Sequence, residues 1–221
     1  MVFSTFFIGS CRYRDYFPNY FPPVLHSTKE IRNFLQKYVD NTLKYENNVE
    51  FGDALHPLLR KESLDFIQSN TLRQCTTLVV EISTRKVAYA QGSDIPLNVH
   101  YVQYYGNIPN YDIRYLTDEE MKEDILAIQT FVKTHFHISN VLFLPVLNLR
   151  LRDTGHYVPE RLRVYKQIKE IPDIHVVDLS KFFETSYSSV FLDDIQPDGY
   201  AYSPAIHPRL VVFFKEILSC L

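Results

Sequence analysis

The sequence predicts an α/β fold: a three-layer α/β/α sandwich around a mainly parallel sheet. Short apolar, β-rich runs recur along the chain at Val2–Ile8, Thr76–Ser83, Asn140–Leu147 and Ile174–Asp178. Amphipathic stretches with helix-start signals lie between them. Strands alternating with helical patterns argue for a parallel sheet covered on both faces. At 221 residues the chain is long for one small domain and short for two independent ones. It shows no internal repeat, low-complexity tract or linker, so one domain over residues 1–221 is expected.

The elements follow in chain order. Val2–Ile8 reads as the first strand, and Tyr13–Pro23 as a loop rich in aromatics and proline. Ser27 and Glu30 have the spacing of a capping box. Ile31, Phe34, Leu35, Tyr38, Val39 and Leu43 then recur at helical spacing. A second helix is expected from about Pro57 to Ser69, carrying Leu58, Leu59, Leu64 and Ile67. Thr76–Ser83 is β-branched and apolar, as a buried strand requires. Thr84–Ala90 either continues that strand or bends away. Gly92–Tyr115, with Pro96, Gly106 and Pro109, reads as a long irregular segment, a lid or insertion.

Thr117 and Glu120 form a second capping box. They open a helix to Phe136 with Met121, Ile125, Ile128, Val132 and Phe136 as its apolar stripe. Asn140–Leu147 is the next buried strand, and Pro159–Lys169 a helix with proline in its first turn. Ile174–Asp178 is a short strand, and Leu179–Glu184 a short helix. Ser203-Pro204 opens the last helix, which buries Ile206, Leu210, Phe213, Phe214 and Ile217.

Composition excludes several classes of function. A net charge of −3 gives no electrostatic case for nucleic acid or an anionic membrane. The three cysteines, Cys11, Cys75 and Cys220, lack metal-type spacing and are odd in number. They point to a reducing compartment without a disulfide framework. The apolar N-terminus lacks a basic flank, Gly9 and Arg12 interrupt it, and no run is long enough to span a bilayer. A cytoplasmic protein is the expectation. No Gly-x-Gly-x-x-Gly or Gly-Lys-Ser/Thr loop occurs among the six glycines, which argues against a nucleotide site. His135 and His137 have no cluster of partners nearby in sequence and read as surface residues; no metal or other cofactor is expected.

The chemistry concentrates at strand ends, where open parallel sheets place their ligands. Gly9-Ser10-Cys11-Arg12 presents a hydroxyl, a thiol and a guanidinium after the first strand. A serine there needs a base, an orienter for that base and oxyanion donors. From spacing alone, Ser10 reads equally as a nucleophile or a turn residue. Cys11 is a buried filler or a second candidate nucleophile, and its backbone N–H follows Ser10 in position for an oxyanion. Arg12 binds an anion or a sugar, or pairs with an acid such as Glu81. His26 reads as a substrate contact or a structural histidine. Asn148 ends an apolar strand and needs polar partners. Asp178 reads first as a cap for the helix that follows it.

Ordered blocks add to this reading. Ile8-Gly9-Ser10-Cys11-Arg12, His26-Ser27-Thr28-Lys29-Glu30, Val79-Val80-Glu81-Ile82-Ser83, Phe143–Asn148 and Pro159-Glu160-Arg161 occur in sequence. In that order the chain resembles the SGNH/GDSL hydrolases, in the branch whose first block is Gly-Ser-Cys-Arg. The resemblance implies a flavodoxin-like sheet, and an esterase acting on an O-acylated substrate, a small molecule or glycan ester, through an acyl-Ser10 intermediate. It places Ser83 and Arg85 in the block that contributes to the oxyanion hole, although the Gly-x-Asn-Asp of that block is absent.

The last block of the family is Asp-x-x-His followed by Tyr-(Ser/Thr)-Pro. Asp198-Gly199-Tyr200-Ala201-Tyr202-Ser203-Pro204 matches it except at the histidine, where Ala201 stands. The resemblance makes Asp198 the orienter of an imidazole that is absent. An alanine methyl cannot accept a proton. Three accounts fit: a natural pseudoenzyme, a His→Ala change in an otherwise intact site, or an imidazole from elsewhere, with His207 nearest in sequence. Retained Ser10, Asp198 and Tyr202-Ser203-Pro204 favour the second. An alternative register on Asp193-x-x-Gln196 also lacks the histidine. A non-catalytic module holding a glycan or protein with the Arg, Asn and Tyr groups of the cleft, and an O-acyltransferase, are the competing functions.

Overall fold

The fold was obtained as a computed structural model. It describes residues 5–10, 13, 16–17, 19–21, 24–40, 65, 71–93, 96–99, 102, 110–146, 159–179 and 207–220. The architecture is α/β, with a five-stranded sheet in the order β2-β1-β3-β7-β8. These strands are β1 (Thr5–Ile8), β2 (Asn19–Tyr20), β3 (Thr77–Ile82), β7 (Asn140–Pro145) and β8 (His175–Val176). Every pairing in this sheet is parallel. Helices α1 (Thr28–Asp40), α2 (Asp118–Phe136), α3 (Pro159–Glu170) and α4 (His207–Ser219) flank it. This is the three-layer sandwich that the alternating apolar runs predict, with the flavodoxin-like sheet that the resemblance implies.

Side-chain alternation along the strands builds the two outer layers. Phe6, Ile8, Leu78, Val80, Ile82, Val141 and Phe143 face one side and pack with α1, α2 and α3. Phe7, Val79, Leu142 and Leu144 face the other and pack with Leu210 and Phe214 of α4. Rings fill that second layer. Phe7 stacks on Phe17 at 5.0 Å, and Phe17 meets Phe214 at 5.1 Å. Such ring pairs add to what area burial alone supplies.

Both capping boxes form. In α1, Ser27 Oγ accepts from Glu30 N, and Glu30 Oε2 accepts from Ser27 N. In α2, Thr117 and Glu120 make the same reciprocal pair. Thr117→Ala is expected to cost about 1 kcal/mol, lowering the melting temperature by roughly 2–4 °C. Thermal unfolding followed by circular dichroism measures it. Met121, Ile125, Ile128, Val132 and Phe136 are all buried, as their spacing predicts. Asp124 joins α2 to α1 by accepting from Arg32 at 2.8 Å and from the Thr28 hydroxyl at 3.2 Å.

The segment after β3 bends away from the main sheet. Lys86–Ala90 (β4), Pro96–Leu97 (β5) and Tyr111–Tyr115 (β6) form a separate antiparallel sheet in the order β5-β4-β6. Gly92–Tyr115 was expected to be irregular, yet it supplies two of these strands. β6 is half exposed, so it never builds the unbroken apolar run that marks a buried strand. Arg85 sits at the bend. Its guanidinium donates to Leu116 O at 2.8 Å, and to Asp118 and Glu160, each at 2.9 Å.

Asp118 stands at the start of α2 and also receives Arg163. Hydrogen bonds from Arg163, then the charges of Arg163 and Arg85, hold its carboxyl below the ordinary value. A lowered folded pKa means stability that is present at neutral pH and lost as pH falls through the folded value. Asp118→Asn is therefore expected to melt earlier than the parent at pH 7. The gap should close once the pH falls below the carboxylate range, in paired melts across pH.

The expected helix near Pro57–Ser69, the helix beyond Leu179 and the Ser203-Pro204 cap fall outside the described residues, apart from Asp65. Among the described residues no helix is long and apolar enough to cross a membrane.

Candidate functional site

The site grows from the carboxyl end of β1. Ile8 is the last paired residue, opposite Val80 of β3. Gly9 follows because nothing larger fits: a Cβ there would lie 2.5 Å from Glu81 Cβ and 2.8 Å from the Phe7 ring. The missing side chain lets the β1 end press against β3. Ser10 then meets Glu81. Its backbone N–H donates to Glu81 Oε2 at 2.8 Å, and its hydroxyl donates to the same oxygen at 2.5 Å.

Glu81 is an unusual strand residue. It is fully buried, while Val79 and Leu144 beside it are apolar. Taking a carboxylate out of water is costly unless donors meet it. Ser10 provides two, and charge-assisted bonds of this kind are short. Ser10 is itself almost covered, at 7% exposure. One consequence concerns any oxyanion: the amide of Ser10 is committed to Glu81, so donors to a substrate must come from other groups.

A second pair lies on the same rim. The stretch before α1 crosses the ends of β1 and β3. Leu25 N donates to Gly9 O at 3.2 Å, while His26 O accepts from Ser83 N at 3.0 Å and Thr84 N at 3.1 Å. The Ser83 hydroxyl also donates to His26 O, and His26 Nδ1 lies 3.1 Å from Ser83 Oγ. The Ser83 hydroxyl thus has His26 O and His26 Nδ1 at the same distance, and the tautomer of the ring sets which of Nδ1 and Oγ is the donor. The backbone of His26 is fixed by Glu30 Oε2, which accepts its N–H at 2.5 Å.

Of the residues singled out from the sequence, the structure brings Ser10, His26 and Ser83 to one rim. Arg85 is turned away, buried among Asp118, Glu160 and Leu116 O as an architectural tie. Asp178 accepts from the Tyr165 hydroxyl and from Lys169, both at 2.9 Å, which anchors α3. Its hydrogen bond to Asp178, then one to the Tyr165 hydroxyl at 3.0 Å, raise the Lys169 ammonium above its usual value. Cys11, Arg12, Asn148, Asp198, Ala201 and Tyr202 lie outside the described residues. Among the described residues no cluster of three or more His, Cys, Asp or Glu could hold a metal.

Glu81 is the residue that sequence reading passed over, having weighed it only as a partner for Arg12. The signal was present: one acid interrupts Thr76–Ile82, a run otherwise without charge. A strand buried on both faces places any such acid in the core, where it must be answered by donors. Scanned against models of protein families, the chain matches none, and a search of the curated proteins also finds no match.

Proposed function

We propose that the chain carries a serine-type acyl-transfer site of the SGNH kind, with Ser10 as nucleophile. Its substrate is an O-acylated small molecule or glycan, most simply an acylated carbohydrate, and the reaction runs through an acyl-Ser10 ester. The observation that supports this reading is the Ser10 hydroxyl at the carboxyl end of a central parallel strand, donating to the buried Glu81 carboxylate. Ligands of open α/β sheets collect along that edge. The ordered sequence blocks supply the rest of the support.

In this reading Asp198 orients an imidazole at position 201, and Ala201 leaves that place empty. The N–H of Cys11, with Asn148 and Arg12, is assigned to the acyl group and its sugar, and His26 and Tyr202 to the substrate as further contacts. The reaction draws on no cofactor. Three cysteines, few and odd in number, fit a cytoplasmic setting. The chain as it stands is an impaired hydrolase, since loss of one triad member leaves only the rate enhancement of the remaining groups.

Ala201 also favours a second reading, a binding module that keeps the cleft without turnover. An organophosphonate separates the two. The Ala201→His form should be labelled at Ser10, and Ala201→His combined with Ser10→Ala should not. A module without chemistry stays unlabelled in every form. Acceptor-dependent product formation distinguishes an O-acyltransferase from a hydrolase.

A further inference from the structure

The sequence places no proton acceptor at position 201, which is alanine. The structure supplies one from a different strand. Glu81 Oε2 accepts the Ser10 hydroxyl at 2.5 Å, within the distance at which a general base acts. The same oxygen accepts Ser10 N–H at 2.8 Å, so the carboxylate grips both the backbone and the reacting group. The contact joins residues 71 positions apart, yet strand register fixes it. Ile8 pairs with Val80, so Ser10 and Glu81 emerge at the same end of adjacent strands. Gly9 is what lets the two approach, since a Cβ there would come within 3.0 Å of Glu81 Oε2.

A purely structural carboxylate could hold the Ser10 amide alone. Here the hydroxyl, the atom that would attack, is donated to the same oxygen. We infer that Glu81 is the general base for Ser10, acting independently of residue 201. This rests on the acyl-transfer reading of Ser10.

The proton accounting closes. As Ser10 Oγ bonds to the acyl carbon, its proton moves to Glu81 Oε2, and the carbonyl electron pair moves onto oxygen. When that pair returns, the C–O bond to the alcohol breaks and the alcohol leaves with the proton from Glu81. Water then attacks the acyl-serine, giving its proton to Glu81. The tetrahedral species collapses, Ser10 Oγ departs and recovers the proton, and the carboxylic acid is released.

The test is Glu81→Gln in the full chain, read by organophosphonate labelling of Ser10. Glutamine keeps the shape, and its amide oxygen still accepts from Ser10 N–H and Oγ–H, but it cannot take the proton. If Glu81 is the base, labelling of the parent chain falls by about 10²-fold or more in Glu81→Gln. Labelling of Ala201→His, which has a second base, falls less. Equal labelling of the parent and Glu81→Gln, both folded by circular dichroism, overturns the inference and leaves the acyl-transfer reading standing. No labelling of either the parent or Ala201→His overturns that reading, and the inference with it. Should Glu81→Gln fail to fold, Glu81→Asp decides: it keeps a carboxylate but draws it back from Ser10 by one methylene, so labelling falls, and labelling equal to the parent overturns the inference.

Discussion

With Glu81→Gln in place, Ala201→His is expected to raise hydrolysis of an aryl acetate ester by about 10²–10⁴-fold, the range that a positioned general base contributes. The substitution places an acceptor three residues after Asp198, in the spacing Asp-x-x-His, with Tyr202-Ser203-Pro204 unchanged behind it. The gain should appear mainly in kcat, since a base assists the transition state more than it binds the ester. It should vanish when Ser10→Ala is added. A gain that survives Ser10→Ala means that the new histidine acts by itself on a reactive ester. No gain at all means that position 201 is not the base position.

Gly9→Ala is expected to damage both stability and reactivity. The new methyl would sit 2.5 Å from Glu81 Cβ and 2.8 Å from the Phe7 ring, closer than atoms pack. Neither neighbour yields easily. The first belongs to a central strand, and Phe7 is stacked on Phe17. Forcing a carbon into such a core costs about 1–3 kcal/mol. Relief comes by parting β1 from β3 at their carboxyl ends, which pulls Ser10 away from Glu81. The labelling rate of Ser10 should therefore drop by about 10²-fold or more, the loss of a positioned base. Chemical denaturation gives the stability change. A variant as stable and as reactive as the parent contradicts the close approach.

The two effects separate what the sequence makes legible from what it hides. Buried elements are legible because burial imposes a pattern. The Phe6/Ile8 and Phe7 faces of β1, the stripe of α2 and the two capping boxes can each be read from spacing. The second sheet is hidden because β6 is half exposed and so lacks an apolar run. For the site, Ser10 is legible from its place after an apolar run and a glycine. The partnership with Glu81 is not, because it depends on register between strands 71 residues apart. Arg85 shows the reverse. Placed beside the strand end by sequence, its side chain answers Asp118 and Glu160, whose positions are set by the starts of α2 and α3. Strand position is written locally, whereas the direction of a long side chain follows from the charges that folding brings near it.

The central claim is an acyl ester on Ser10, and trapping that ester tests it most directly. Ala201→His is mixed with an aryl acetate, quenched in acid and digested after arginine, releasing residues 1–12. That peptide holds Ser4, Thr5, Ser10 and Cys11 as separable side-chain acceptors. The account predicts an acetyl group on Ser10 that appears during turnover and is absent when Ser10→Ala is added. Acetyl on Cys11 instead, or ester turnover with Ser10 never acetylated, would contradict it.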